Sequence, residues 1–388
     1  MLLYPVYALL FTDTGLSVAE VSSLFVIWSV TGIVLEVPSG ALADVLSRRL
    51  LLIAGPLLSA LGYALWVLAP SYGVFALGFV LWGACGALQS GATEALVYEE
   101  LTHRGEVGAY PRLIGRAKAI GLAAVMLATA AAAPVFAWGG YLAVGAASVL
   151  ACLAASVAAA ALPEHRVPVE EDAPELGYLA TLRDGVAHSW RNPAVRAAVL
   201  LVPAVSAIYG ALEEYGSLLA RDTGVADSTV PLLVLLLEAG VAAAGLFAAR
   251  ASRLPVRGFA ALLAAAAIAM AVGAYGRSVA GIVLVAGAFG VYQLATVVAD
   301  VRLQQAITGG HRATITSVAG FGTELLTIAV FGLYAAGSAY ASHGTVFAWF
   351  ALPYLLVAAI WAASHRRPAT PAPEPAEAEP ATSLSEPG

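Results

Sequence analysis

Apolar runs of about 20 residues recur along the whole chain with only short polar gaps between them, and each can carry a helix across the roughly 30 Å core of a bilayer. Barrel strands are excluded, because those are segments of about ten alternating residues. Within lipid, only a helix satisfies every backbone N–H and C=O inside a single segment. Composition agrees: 11% of residues are charged and the mean hydropathy is +0.84, whereas soluble domains carry about 25% charged residues. The expectation is an all-α, multi-pass membrane protein. Cys85 and Cys152 both lie in apolar segments, as buried small hydrophobes do, and no disulfide is expected.

The runs resolve into twelve spans, from 1–11 at the N-terminus to 344–364. Eleven helical residues cover roughly 16 Å, so the first span is too short and the true start is expected upstream. Met1 enters it without a basic flank, so no removable signal peptide is expected. With the N-terminus on the inner face, every Lys and Arg except Arg221 and Arg277 falls on the inner side. That bias matches the positive-inside rule, so both termini are expected in the cytoplasm of a plasma-membrane protein. Four regions follow: six-helix halves at 1–162 and 194–365, a linker at 163–193, and a tail at 366–388. In the linker, Leu176, Leu179, Leu182, Val186 and Trp190 recur at helical spacing, as in an amphipathic surface helix. The tail is rich in Pro and Glu and should be disordered.

One gap contains GALADVLSRR (40–49), and a degraded second copy, GLFAARASRL (245–254), follows the second span of the other half. Gly40 aligns with Gly245, Ala43 with Ala248, Ser47 with Ser252 and Arg48 with Arg253, while Ala249 replaces Asp44. Such repeats mark secondary transporters whose halves rock about a midplane site. GALADVLSRR resembles the G-x-L-A-D-x-x-G-R-[RK] signature of the major facilitator superfamily, with Ser47 in place of the usual glycine. The resemblance extends over nearly the whole chain and implies two pseudo-symmetric six-helix bundles. It also implies a gate made of Gly40, Asp44, Arg48 and Arg49, with Asp44 near Arg312 and Ala313 at the start of span 11. Arg48 and Arg49 would then pair with Glu99, Glu100 or anionic headgroups.

Ionisable residues inside spans are expensive and are functional candidates by default. Glu36, Glu94, Glu213, Glu214, Glu238 and Glu324 are embedded acids, and no Lys or Arg is comparably central. Desolvation favours a neutral carboxyl, so these are candidate proton carriers or contacts for a cation. Glu238 and Glu324 are the deepest by position; Glu36 and Glu94 suit a structural or gate role. Only one of the adjacent Glu213 and Glu214 is expected to face inward, and Asp300 is expected to pair with Arg302. Trp28, Gln89, Tyr209, Tyr215, Tyr292 and Gln293 form a candidate cavity wall.

The antiporter signature of span 5, roughly G-x-x-x-G-P-x-x-G-G, is matched only loosely by AAAAPVFAWGGY, and span 4 lacks the arginine usual in that group. No HExxH, GxSxG, P-loop or paired cysteine ligands occur, so enzymatic and ATP-driven functions are not expected. No metal, cofactor or nucleic-acid partner is expected. The reading is a monomeric secondary transporter, with proton-coupled export of a small amphipathic or cationic molecule first. Uptake of a metabolite is the rival, and a non-transporting sensor on the same scaffold is a third possibility.

Overall fold

The computed structural model describes residues 1–165, 192–251, 253–307 and 312–364, with side chains at all of these except 37–45, 249, 313 and 364. The expected linker helix and tail lie outside the described residues, as do the side chains of Gly40, Asp44 and Ala313.

Among the described residues every regular element is helical. A single turn at Tyr4–Val6 leads into α1 (Tyr7–Asp13) and α2 (Val18–Val45). Then come α3 (Arg48–Leu68), α4 (Tyr72–Gln89), α5 (Ala92–His103) and α6 (Tyr110–Ala160). Beyond the linker are α7 (Pro193–Glu213), α8 (Gly216–Arg221), α9 (Val230–Ala251) and α10 (Val256–Tyr275). The last four are α11 (Val279–Ala306), α12 (Arg312–Ser338), α13 (His343–Trp349) and α14 (Ala351–Ser364).

Among the described residues, ten helical segments are long and apolar enough to cross a membrane. The longest, α6, breaks at Gly139 and at Gly140 (φ 58°, ψ −150°), so the expected spans 5 and 6 are its two arms. Only glycine adopts that backbone at Gly140 without strain. Gly140→Ala is expected to cost about 1–3 kcal/mol, read as a lower melting temperature of the detergent-solubilised protein. The expected fourth span is also divided: α4 stops at Gln89, and Gly91 (φ 71°) turns the chain into α5. With the arms of α6 taken separately and α1 added, the order matches that of the expected spans.

The packing repeats six spans on. In the first set α3 packs on α4 and on the second arm of α6, and α2 packs on α4. In the second set α10 packs on α11 and α14, and α9 packs on α11. Gly62 meets Gly78 where α3 crosses α4, and Gly273 meets Gly281 where α10 crosses α11. Small residues permit such close backbone approach when lipid provides no hydrophobic drive. The two sets are joined by α2 against α12 and by the first arm of α6 against α9.

Connectivity puts Asp13, the Gly139–Gly140 break and Arg221 at one end of the bundle, and Arg48, His103 and Glu164 at the other. Ser47, the departure from the signature, caps α3: its hydroxyl accepts from Leu50 N–H (3.1 Å), as a good N-cap does.

Candidate functional site

A cavity of about 490 Å³ lies between the two helix sets. Its lining includes Met1, Tyr4, Tyr63, Trp82, Gln89, Thr129, Glu213 and Glu238; no Lys or Arg is among them, and the Met1 amino group is close enough to Glu238 for their charges to interact. Glu238 is eight residues into α9 and Glu213 eight residues before Arg221. At 1.5 Å per residue both lie roughly 12 Å below the Asp13 end, near the middle of the apolar layer.

Local chain geometry brings three carboxyls together. Glu238 is 8% exposed; Thr129 Oγ1, from the first arm of α6, donates to its Oε1 (3.0 Å). Its Oε2 is buried with no hydrogen-bond partner among the described residues. α7 ends at Glu213, Tyr215 leaves helical geometry, and α8 restarts at Gly216. That break changes the expectation for the adjacent pair: Glu213 lines the cavity beside Tyr209, and Glu214 is also buried inward. The hydroxyls of Tyr7 and, at 3.4 Å, of Tyr4 donate to Glu214. Glu213 is close enough to Glu214 and Glu238 for their charges to interact.

An aromatic wall faces the acids. Trp82 stacks on Trp28 (5.0 Å, 17°), and Tyr4 meets Trp82 edge-on at 6.2 Å. A site with aromatic faces, carboxyls and no basic side chain favours a cation with apolar substituents, because ring faces and carboxylates both attract positive charge.

The expected wall residues divide. Gln89 lines the cavity, whereas Trp28 stands behind Trp82. Gln293 lines a smaller cavity of about 250 Å³ that shares Leu122 and Val241 with the main one. Tyr292 stacks on Tyr354 (3.7 Å, 5°), away from the acids.

Glu324 does not join the cluster. It is exposed and two helical turns from Phe331, on nearly the same face of α12, while Glu36 and Phe25 share a face of α2. Phe25 meets Phe331 at 5.3 Å towards the Asp13 end. Towards the Arg48 end, exposed Glu36 and Glu324 face the same seam, close enough for their charges to interact. Glu94 pairs with Lys118 at 3.7 Å and is 42% exposed.

The two ends differ. At the Asp13 end, Arg221 donates to Asp13 (2.8 and 3.0 Å), Asp227 (3.0 and 3.2 Å) and Thr12 (3.3 Å). Tyr141 donates to Asp13 as well. Below that network Ser22 and Tyr215 share a hydrogen bond (2.7 Å), and Tyr215 stacks on Tyr334 (3.6 Å). These contacts join the sets and cover the acids. At the Arg48 end the polar contacts among the described residues lie within each set, with Gln304 donating to Thr316 (3.0 Å) in the second. Arg48 pairs with Glu99, Arg49 N–H and the Ser47 hydroxyl donate to Glu164, and Glu100 accepts from His165 N–H (2.6 Å). Arg302, expected beside Asp300, instead lies over the Trp361 ring (4.5 Å). The geometry is a midplane cavity covered at the Asp13 end by contacts between the two sets.

Sequence reasoning missed Tyr4, Tyr7, Thr129 and the Asp13–Arg221–Asp227 network. The signals were a tyrosine pair at i, i+3, a lone threonine in an alanine run, and the one arginine of the second half at the Asp13 end before Arg277.

A cavity between two helix sets with matching packing is the architecture of a membrane carrier. The chain matches the Major Facilitator Superfamily over residues 1–329 and belongs to that family. No curated protein matches it by sequence. Among solved structures it is similar to a point-mutant form of a nucleoside transporter, NupG, with TM-score 0.74, 15% identity, and 94% and 95% of the two chains covered. It is also similar to a D-xylose-proton symporter, with TM-score 0.64, 13% identity, and 92% and 91% covered. The protein is a multi-pass membrane protein of a transporter family, with a secondary-transport fold.

Proposed function

We propose that the protein exchanges protons for a small amphipathic cation by alternating access, with residues 1–162 and 194–365 as the rocking halves. In this reading the Arg48 end faces the cytoplasm, both termini lie there, and the structure is the inward-facing state of a plasma-membrane monomer. The carrying observation is the pair Glu213 and Glu238 lining one cavity without a basic side chain, with buried Glu214 beside Glu213 and Glu238 Oε2 unpartnered among the described residues. Three carboxyls in a low-dielectric site cannot all stay charged alone. The Met1 amino group can offset one of them; protons or a bound cation must offset the rest, so the two ligands compete. Competition for one set of carboxyls makes the coupling an exchange, and an inward proton gradient then drives export. Arg48–Glu99 and the signature residues around them serve as the inner gate.

Proton-coupled uptake of a metabolite is the second reading, and the likeness to a D-xylose-proton symporter favours it. Proteoliposomes separate the two. With the lumen more acidic than the medium, ethidium should accumulate about tenfold per pH unit for one-for-one exchange. Accumulation of ethidium or D-xylose only under the reversed gradient would support symport and overturn exchange.

A further inference from the structure

Arg302, four residues before the end of α11, is shared by two cavities outside the proposed transport site. The first, about 570 Å³, is a trough between α7, α11 and α14. It exists because Ala194, Ala197, Ala198, Ala204 and Ala306 leave a gap that larger side chains would fill, and among the described residues Arg302 is its only charged group. The second, about 350 Å³, lies between α9, α10 and α11, with Arg302 and Gln305 as its polar side chains. Phe259 and Trp361, in contact at 5.3 Å, separate the two, and the Arg302 guanidinium rests over Trp361. Among the described residues Arg302 has no carboxylate in ion-pair contact.

We propose that this is a binding site for one anionic glycerophospholipid, with an acyl chain in the alanine trough and the phosphate on Arg302. Leu200 and Ile360 at the trough's rim are exposed to the surrounding lipid, so the chain enters from the bilayer. Arg302 lies roughly 6 Å from the helix end, about where chains give way to headgroups. A guanidinium suits the phosphate because its planar donors match two oxygens at once. Stacking on Trp361 holds that plane in place. Basic pockets between spans on the inner side select anionic headgroups, and the Gln305-lined cavity gives the headgroup room. The charge is opposite to that of the acid cavity, so the transported cation is not the ligand.

Native mass spectrometry of the delipidated full chain tests this, titrating phosphatidylglycerol against phosphatidylcholine of identical chains. Wild type should prefer phosphatidylglycerol by about fivefold or more. Arg302→Gln should bring the two lipids to parity, whereas Arg116→Gln, a surface charge on α6, should leave the preference intact. Ala197→Phe, at an exposed position of the trough, should weaken both lipids. Equal binding of the two lipids by wild type, a preference surviving Arg302→Gln, or lipid binding unchanged in Ala197→Phe would each overturn the site. Displacement of the lipid by free glycerol phosphate at equal concentration would likewise overturn it, by assigning Arg302 to soluble phosphate.

Discussion

Glu238→Gln is expected to cut pH-gradient-driven flux in proteoliposomes by about tenfold or more, with the protein still folded and inserted. Glutamine keeps the shape and keeps an oxygen for Thr129, so the α6–α9 contact survives. What it loses is the capacity to take up and release a proton at the buried oxygen now without a partner. Downhill exchange of labelled for unlabelled cation should fall less than gradient-driven flux, because Glu213 and Glu214 still supply negative charge. Glu324→Gln is the informative contrast: exposed in the α2–α12 seam, it should leave gradient-driven flux within about twofold of wild type. If Glu238→Gln responds normally to an imposed gradient while Glu324→Gln does not, the acid cluster is not the coupling site.

The difference between Glu238 and Glu324 marks the limit of what a sequence like this reveals. Depth within a span is readable, because an apolar run has two ends and a midpoint. Both glutamates are central by that measure. Azimuth is not readable when a helix is apolar all round: α2 and α11 have almost no amphipathic bias to say which side faces the cavity. For this reason Tyr292, on α11, turned out to stack on Tyr354, and Glu36, on α2, to share with Glu324 the seam of Phe25 and Phe331. The span order and the repeat were legible because carrying a helix across lipid takes a long apolar run, and the paired glycines and Ser47 echo between halves. The inward turn of both Glu213 and Glu214 depends on the break at Tyr215, for which Gly216 is the only local mark. Tyr4 and Tyr7 escaped notice because hydroxyls near a span's end resemble interface anchors, and their partner lies about 210 residues away.

Arg221→Gln is the second large effect: it should shift the resting population from closed to open at the Asp13 end by about 5- to 150-fold, the range of a 1–3 kcal/mol coupling. Its side chain is 28% exposed and donates to two carboxylates on separate segments; charge-assisted bonds of this kind contribute more than exposed pairs do. Spin labels at Ser17→Cys and Ala226→Cys read the change as a longer distance, since those positions flank the network from opposite helix sets. The pH dependence has a defined sign. Burial pushes the Asp13 carboxyl up, but hydrogen bonds from Arg221 and Tyr141 outweigh it and hold the group below its usual value. Opening removes those partners and returns the carboxyl towards about 3.9. The closed form therefore keeps its full advantage above about pH 4 and loses it only as pH falls through the lowered Asp13 value. In wild type the label distance should stay constant from pH 8 to pH 5, so that external protons act on the midplane acids rather than by unlocking this end. In Arg221→Gln the main group that offsets the effect of burial on Asp13 is gone, and opening should begin at higher pH. A wild-type distance that titrates between pH 6 and pH 7 would place the proton switch in the outer network and remove it from the glutamate cluster.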